Sequence, residues 1–145
     1  MITSFSTTRR ITINVVPARV WAALTTPEII KQYMFGAEVV SNWQTGSSLV
    51  YKGHWEGQPF EDKGVILEIP PENLLKTSFY SALSGLEDKP ENYSTITYEL
   101  NSEAAGRTTL TVTQDNQPTS AAADQAGRNW EMTLSQIKQL LEEPE

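Results

Sequence analysis

The last quarter of the chain most restricts what it can fold into. Between Thr119 and Glu143, Ala123, Gly127, Trp130, Leu134, Ile137 and Leu141 recur at steps of three and four. That is the period of a helix burying one stripe. The stripe holds a Trp and, one turn earlier, a Gly where another segment can approach closely. Such a helix needs an apolar surface to lie on, with Trp130 and Leu134 expected to be buried against it. The chain offers one of sufficient size, the inner face of a sheet. If that sheet curves around the helix, the gap between them is where function is to be sought.

The preceding sequence reads mostly as strands. Thr8 to Val15 alternates, with Ile11, Ile13 and Val15 on one face. Pro17 opens a short helix containing Val20, Trp21 and Leu24. Thr26-Pro27-Glu28 opens a second, with Thr26 as a candidate cap, running to about Tyr33. Strands are predicted over 37–43, 48–56, 63–69, 74–80, 93–100 and 108–114. Val65, Leu67 and Ile69 share one face of theirs, and Leu67 is taken as a wall of the gap. Residues 81–92 hold Gly85, Pro90 and four charges, and read as a long mobile loop that could serve as a lid. The order is one strand, two short helices, six strands and a long helix. Short turns favour antiparallel pairing, and a sheet of that width curls. The class is α+β, a curved seven-stranded antiparallel sheet wrapped around the C-terminal helix.

Length and charge narrow the function. A chain of 145 residues is expected to form one domain, 1–145. The net charge of -7 argues against sequence-independent nucleic-acid binding and against an anionic membrane surface. There is no cysteine, hence no disulfide and no thiolate nucleophile or metal ligand. Met1 to Arg10 lacks the apolar core of a signal peptide, and the expected location is cytoplasmic. One histidine without cysteine does not build a common zinc site, and no cofactor is expected.

Several segments carry a resemblance. Val20-Trp21-Ala22-Ala23-Leu24-Thr25-Thr26-Pro27-Glu28 resembles the first helical region of the START-like, or SRPBCC, superfamily. Within it, the chain is most similar to the family related to the C-terminal domain of the heat-shock chaperone ATPase activator. Gly46-Ser47 stands where that family usually has a Gly pair. Gly64 to Leu74 resembles its central strand and double-proline turn, Gly106 to Val112 its last hairpin, and Gly127 to Leu141 its terminal helix. The resemblance spans about Ile11 to Leu141 and implies the helix-grip fold. The chain departs at Tyr33, where Trp is common, and at Gln114, where His is frequent; the second change is read as removing a polar group from the interior.

The site candidates are aromatic. Tyr51 and Trp55 share a strand face, Phe79 and Tyr98 lie on two later strands, Tyr33 and Phe35 follow the second short helix, and Trp130 faces in from the terminal helix. These side chains can be ordinary core. They can equally line a cavity, and the resemblance favours that reading because START-like folds commonly enclose one. Buried phenols at Tyr33, Tyr51 and Tyr98 would need partners. His54, with Glu56 on the same strand face, is a weak candidate for a general base, since Lys52 shares that face and marks it as solvent-facing. Glu61 and Asp62 are adjacent and point apart in a strand. Three functions stay open: non-catalytic binding of a small apolar or amphipathic molecule, a protein-interaction module with a chaperone partner as the resemblance implies, and a cyclase- or hydrolase-type enzyme. Absence of an N-terminal partner domain weighs against the second, and absence of an acid–base pair against the third. Exposed edge strands leave both monomer and self-pairing open.

Overall fold

Alternating side chains from Phe5 to Ile13 form β1, and Pro17 then starts helix α1, Pro17–Thr25. Helix α2, Pro27–Tyr33, follows after a single residue, with Pro27 at its first position. Strands β2 (Glu38–Ser41), β3 (Ser48–Trp55), β4 (Gln58–Glu68), β5 (Leu74–Ser81), β6 (Ser94–Ala104) and β7 (Arg107–Gln117) come next, then helix α3, Ser120–Glu142. This computed structural model describes residues 5–34 and 36–143, without the side chains of Trp55 and Leu83; Phe35 lies outside the described residues. Thr26 makes no side-chain cap bond, whereas the Thr119 hydroxyl caps α3 by accepting from Ala122 N at 3.0 Å.

The sheet is antiparallel with the order β1-β7-β6-β5-β4-β3-β2. The first and second strands in sequence are therefore its two edges, and α1 and α2 are the crossover between them. That explains the two short helices after β1: they close the open side of the curled sheet. The fold is an α+β helix grip, with α3 lying along the concave face. The inward rows follow from the register. Val39, Tyr51, Asp62 and Ser81 lie side by side, and Ile66, Thr77, Ile96, Gln114 and Thr7 form a parallel row.

Several boundaries and faces differ from the sequence reading. β1 begins three residues earlier than Thr8, which brings Thr7 onto the inner row opposite Gln114. β2 is only Glu38–Ser41, because Trp43 takes a positive φ of 56° and leaves the ladder. β4 begins at Gln58, and its inward side chains are Asp62 and Ile66, not Val65 and Leu67. Both of the latter are 39% exposed on the convex face, so Leu67 is not a wall of the gap. The stretch Gly64 to Leu67 is apolar on both sides, so a period of two does not choose its inner face. Gly64 chooses it. A Cβ there would lie 1.8 Å from the Ser78 carbonyl oxygen, so only glycine lets β5 come this near. The Val65 amide donates to the Ser78 hydroxyl at 2.9 Å at this point.

The core fills one end of the grip. Ile13, Val20, Leu24, Leu110, Leu134, Ile137 and Leu141 are buried there, from β1, α1, β7 and the second half of α3. The first half of α3 instead offers Ala122, Ala123, Ala126 and Gly127. Gly127 is where something does approach closely, but it is the Arg9 guanidinium and Thr7 hydroxyl, not backbone. Arg9 then pairs with Glu131 one turn further along the helix, at 3.2 Å.

Candidate functional site

Small residues on the first half of α3 cannot fill the space that large ones fill on the second half. The consequence is a hollow of about 770 Å³ between the sheet, α2, α3 and the segment after β5. Its lining is mainly apolar. Tyr33, Tyr51, Phe79, Tyr98 and Trp130 all border it, drawn from α2, β3, β5, β6 and α3. Trp55 lies on the backbone of β3 opposite Gln58; its side chain is outside the described residues. Trp130 is half-buried rather than buried, because one side of its indole faces the hollow. Tyr98 meets it edge-on, with ring centroids 5.7 Å apart.

The three inner phenols are not equivalent. Tyr33 donates its hydroxyl to the Ala23 carbonyl at 2.7 Å, tying α2 to α1. The hydroxyls of Tyr51 and Tyr98 make no such bond within the described residues. Burial raises the pKa of all three, and the Tyr51–Asp62 and Tyr51–Tyr98 proximities push the same way. All three are neutral donors at physiological pH.

Two polar side chains to which sequence reasoning gave no role stand on the wall. Gln114 is buried. It accepts from the Trp130 indole N–H at 2.9 Å through Oε1, and donates through Nε2 to the Ser94 hydroxyl at 3.0 Å. The departure from His at this position thus keeps a polar group in the interior. Asp62, inward on β4 and directly opposite Tyr51, has one carboxylate oxygen, Oδ1, that is buried without a hydrogen-bond partner. Burial raises its pKa, against the lowering effect of a hydrogen bond from Ser81. Polar residues at inward positions look like solvent-facing ones in a sequence; only the register reveals them. His54 is exposed on β3 and does not border the hollow.

The segment after β5 does not match the mobile loop read from the sequence. It contains 3-10 turns at Ala82–Ser84 and Pro90–Asn92. The Tyr80 hydroxyl donates to the Leu86 carbonyl at 2.7 Å, and the Tyr93 hydroxyl to Asp88 at 2.7 Å. Lys63 pairs with Asp88 and sits over the Tyr80 ring, which stacks on Tyr93. Asn116 Nδ2 donates to the Glu91 and Tyr93 carbonyls, both at 2.9 Å. The segment is pinned from four sides. Leu86 and Asn92 from it, with Asn116 and Gln125, form the rim of the hollow.

A domain of this architecture has known relatives. The family model described as Activator of Hsp90 ATPase homolog 1-like protein matches residues 14–142. The chain belongs to that family, within the START-like (SRPBCC) superfamily. ChR145 from Cytophaga hutchinsonii, solved in solution, is 40% identical, with a TM-score of 0.85 over 98% of this chain and 97% of that one. The Aha1 dimer from Colwellia psychrerythraea is 19% identical, with a TM-score of 0.73 over 95% of this chain and 96% of that one. CalU16 from Micromonospora echinospora is 20% identical, with a TM-score of 0.72 over 97% and 85%. At those lower identities the likeness is one of fold. Comparison with curated proteins returns no match. No helix among the described residues is long and apolar enough to cross a membrane.

Proposed function

We propose that this protein binds a small apolar or amphipathic molecule, without turning it over, between the sheet and α3. The observation that carries this reading is the hollow itself. A volume of about 770 Å³ lies within the range of small-molecule sites, and its mainly apolar lining with a few polar groups is their usual composition. A core that only needed to be stable would have larger residues than Ala122 and Ala126 on that stretch of α3. Tyr33, Tyr51, Phe79, Tyr98 and Trp130 supply the aromatic walls, with Trp55 kept in the set from its place on β3.

The test is a ligand screen by native mass spectrometry, with thermal unfolding as a second readout. A binder should raise the Tm in proportion to its excess over Kd. Ala126→Phe, which fills the hollow from the helix side, should weaken any hit by about tenfold or more, equivalent to about 1.4 kcal/mol. Binding unchanged in that variant would place the ligand elsewhere. The family description gives the second reading specific support: a protein-interaction, co-chaperone-like module acting on a heat-shock ATPase. Stimulation of such an ATPase by the purified protein, undiminished in Ala126→Phe, would favour it over the binder.

A further inference from the structure

Asp62 is a carboxylate in a place that offers it little. It lies on the inward row between Tyr51 and Ser81, and it borders the hollow. Its Oδ1 is buried without a hydrogen-bond partner, and it takes part in no ion pair among the described residues. Lys63, the next residue, also borders the hollow, but its ammonium is held by Asp88. Leaving an acceptor buried and unpaired is destabilising, the more so when it is charged. A wall built only for apolar contact would carry an aliphatic residue here. Its two cross-strand neighbours are Ser81, which donates a hydrogen bond to it, and the aromatic Tyr51. Tyr51 stands directly opposite it, about 5 Å away between Cβ atoms as for any cross-strand pair. Tyr98 and Trp130 form another wall of the same hollow. An uncompensated carboxylate beside aromatic faces is complementary to one class of ligand group, an organic cation. The carboxylate supplies charge and an acceptor, and the rings supply cation–π attraction.

We infer that the hollow selects a cationic amphiphile, a protonated amine on an apolar skeleton, with its N–H donated to Asp62 Oδ1 and its chain against the aromatic walls. This rests on the binding function proposed above and specifies its ligand class. The amine supplies the donor that Oδ1 lacks and the countercharge that Asp62 lacks. The Tyr51 hydroxyl, unbonded in the free protein, is placed to orient the same head group.

The experiment is a matched series with one skeleton and three head groups: decylamine, decan-1-ol and decanoate, each below its aggregation concentration, titrated calorimetrically. The amine should bind the wild-type protein about tenfold or more tightly than the alcohol, as for a charge-assisted bond over a neutral one, with decanoate weakest. Asp62→Asn should remove that preference and leave the alcohol's affinity within about twofold, which is under half a kcal/mol. Glu61→Gln makes the same change in net charge one residue away, at an exposed position, and should change nothing. Equal binding of amine and alcohol to the wild type overturns the inference, as does a preference that survives Asp62→Asn or falls equally in Glu61→Gln. Those results leave the binding function standing. Failure of all three compounds, together with a blank library screen, removes the binding function and the inference with it. The wild-type series needs no variant to fold.

Discussion

At the residue scale, the inner wall separates groups that hold the fold from groups that are free to meet a ligand. Tyr33 belongs to the first kind. Tyr33→Phe removes the bond to the buried Ala23 carbonyl and should cost about 1–2 kcal/mol in denaturant unfolding. Tyr51→Phe and Tyr98→Phe break no such bond and should be close to neutral. Equal losses in all three would contradict the distinction. Asp62 gives a prediction in pH. Burial holds its folded pKa above the ordinary 3.8, so between those two values the native state keeps a proton that the unfolded chain releases. That contribution to stability is full below 3.8 and is lost as pH rises through the raised folded value. Asp62→Asn should therefore lose less stability than wild type over the same rise in pH, read as Tm against pH. The inward faces of Tyr51 and Tyr98 were legible in the sequence because period-two alternation put them beside Leu49, Ile96 and Leu100. Asp62 and Gln114 were not, because a polar residue in a strand reads as outward until its cross-strand neighbours are known.

At the scale of elements, two features decide the shape of the hollow. Gly64 lets β4 and β5 approach where the sheet bends. Gly64→Ala puts a methyl into the Ser78 carbonyl, which cannot retreat because Ser78 is also paired with Thr95 of β6. The expected loss is about 3 kcal/mol, the upper end for overpacking, and thermal unfolding measures it. The second feature is the segment between β5 and β6, fastened by Asp88 to Lys63 and Tyr93. These contacts are exposed, so Asp88→Asn should barely move the Tm. It should speed amide exchange at Leu86 and Asn92 while leaving β6 and β7 protected. The sequence made this segment look mobile because Gly, Pro and charge are signs of a loop. Its fastenings come from Lys63 and Asn116, which are distant in sequence and adjacent only after folding. The terminal helix was legible down to its stripe, because a long helical period is a strong signal. That Trp130 would be only half-buried was not, since the stripe does not say whether the facing sheet fills the space.

At the scale of the molecule, the fold is a sheet whose two edges are bridged by α1 and α2 and whose concave side is packed by α3 at one end only. Large residues on α3 make a core there, and small ones leave a hollow at the other end. The central claim is that this asymmetry serves a ligand. The Trp130 indole N–H reports on it directly, because it bonds to Gln114 on the wall and sits beside the hollow. The measurement is a titration of isotope-labelled protein with decylamine, followed by amide and indole NMR. A ligand in the hollow predicts saturable shifts at the Trp130 indole and at the amides of Thr77, Ile96 and Gln114, with His54 and Leu67 on the outside unmoved. Shifts confined to the convex face, or a Trp130 indole that stays still while ligand demonstrably binds, would contradict the account.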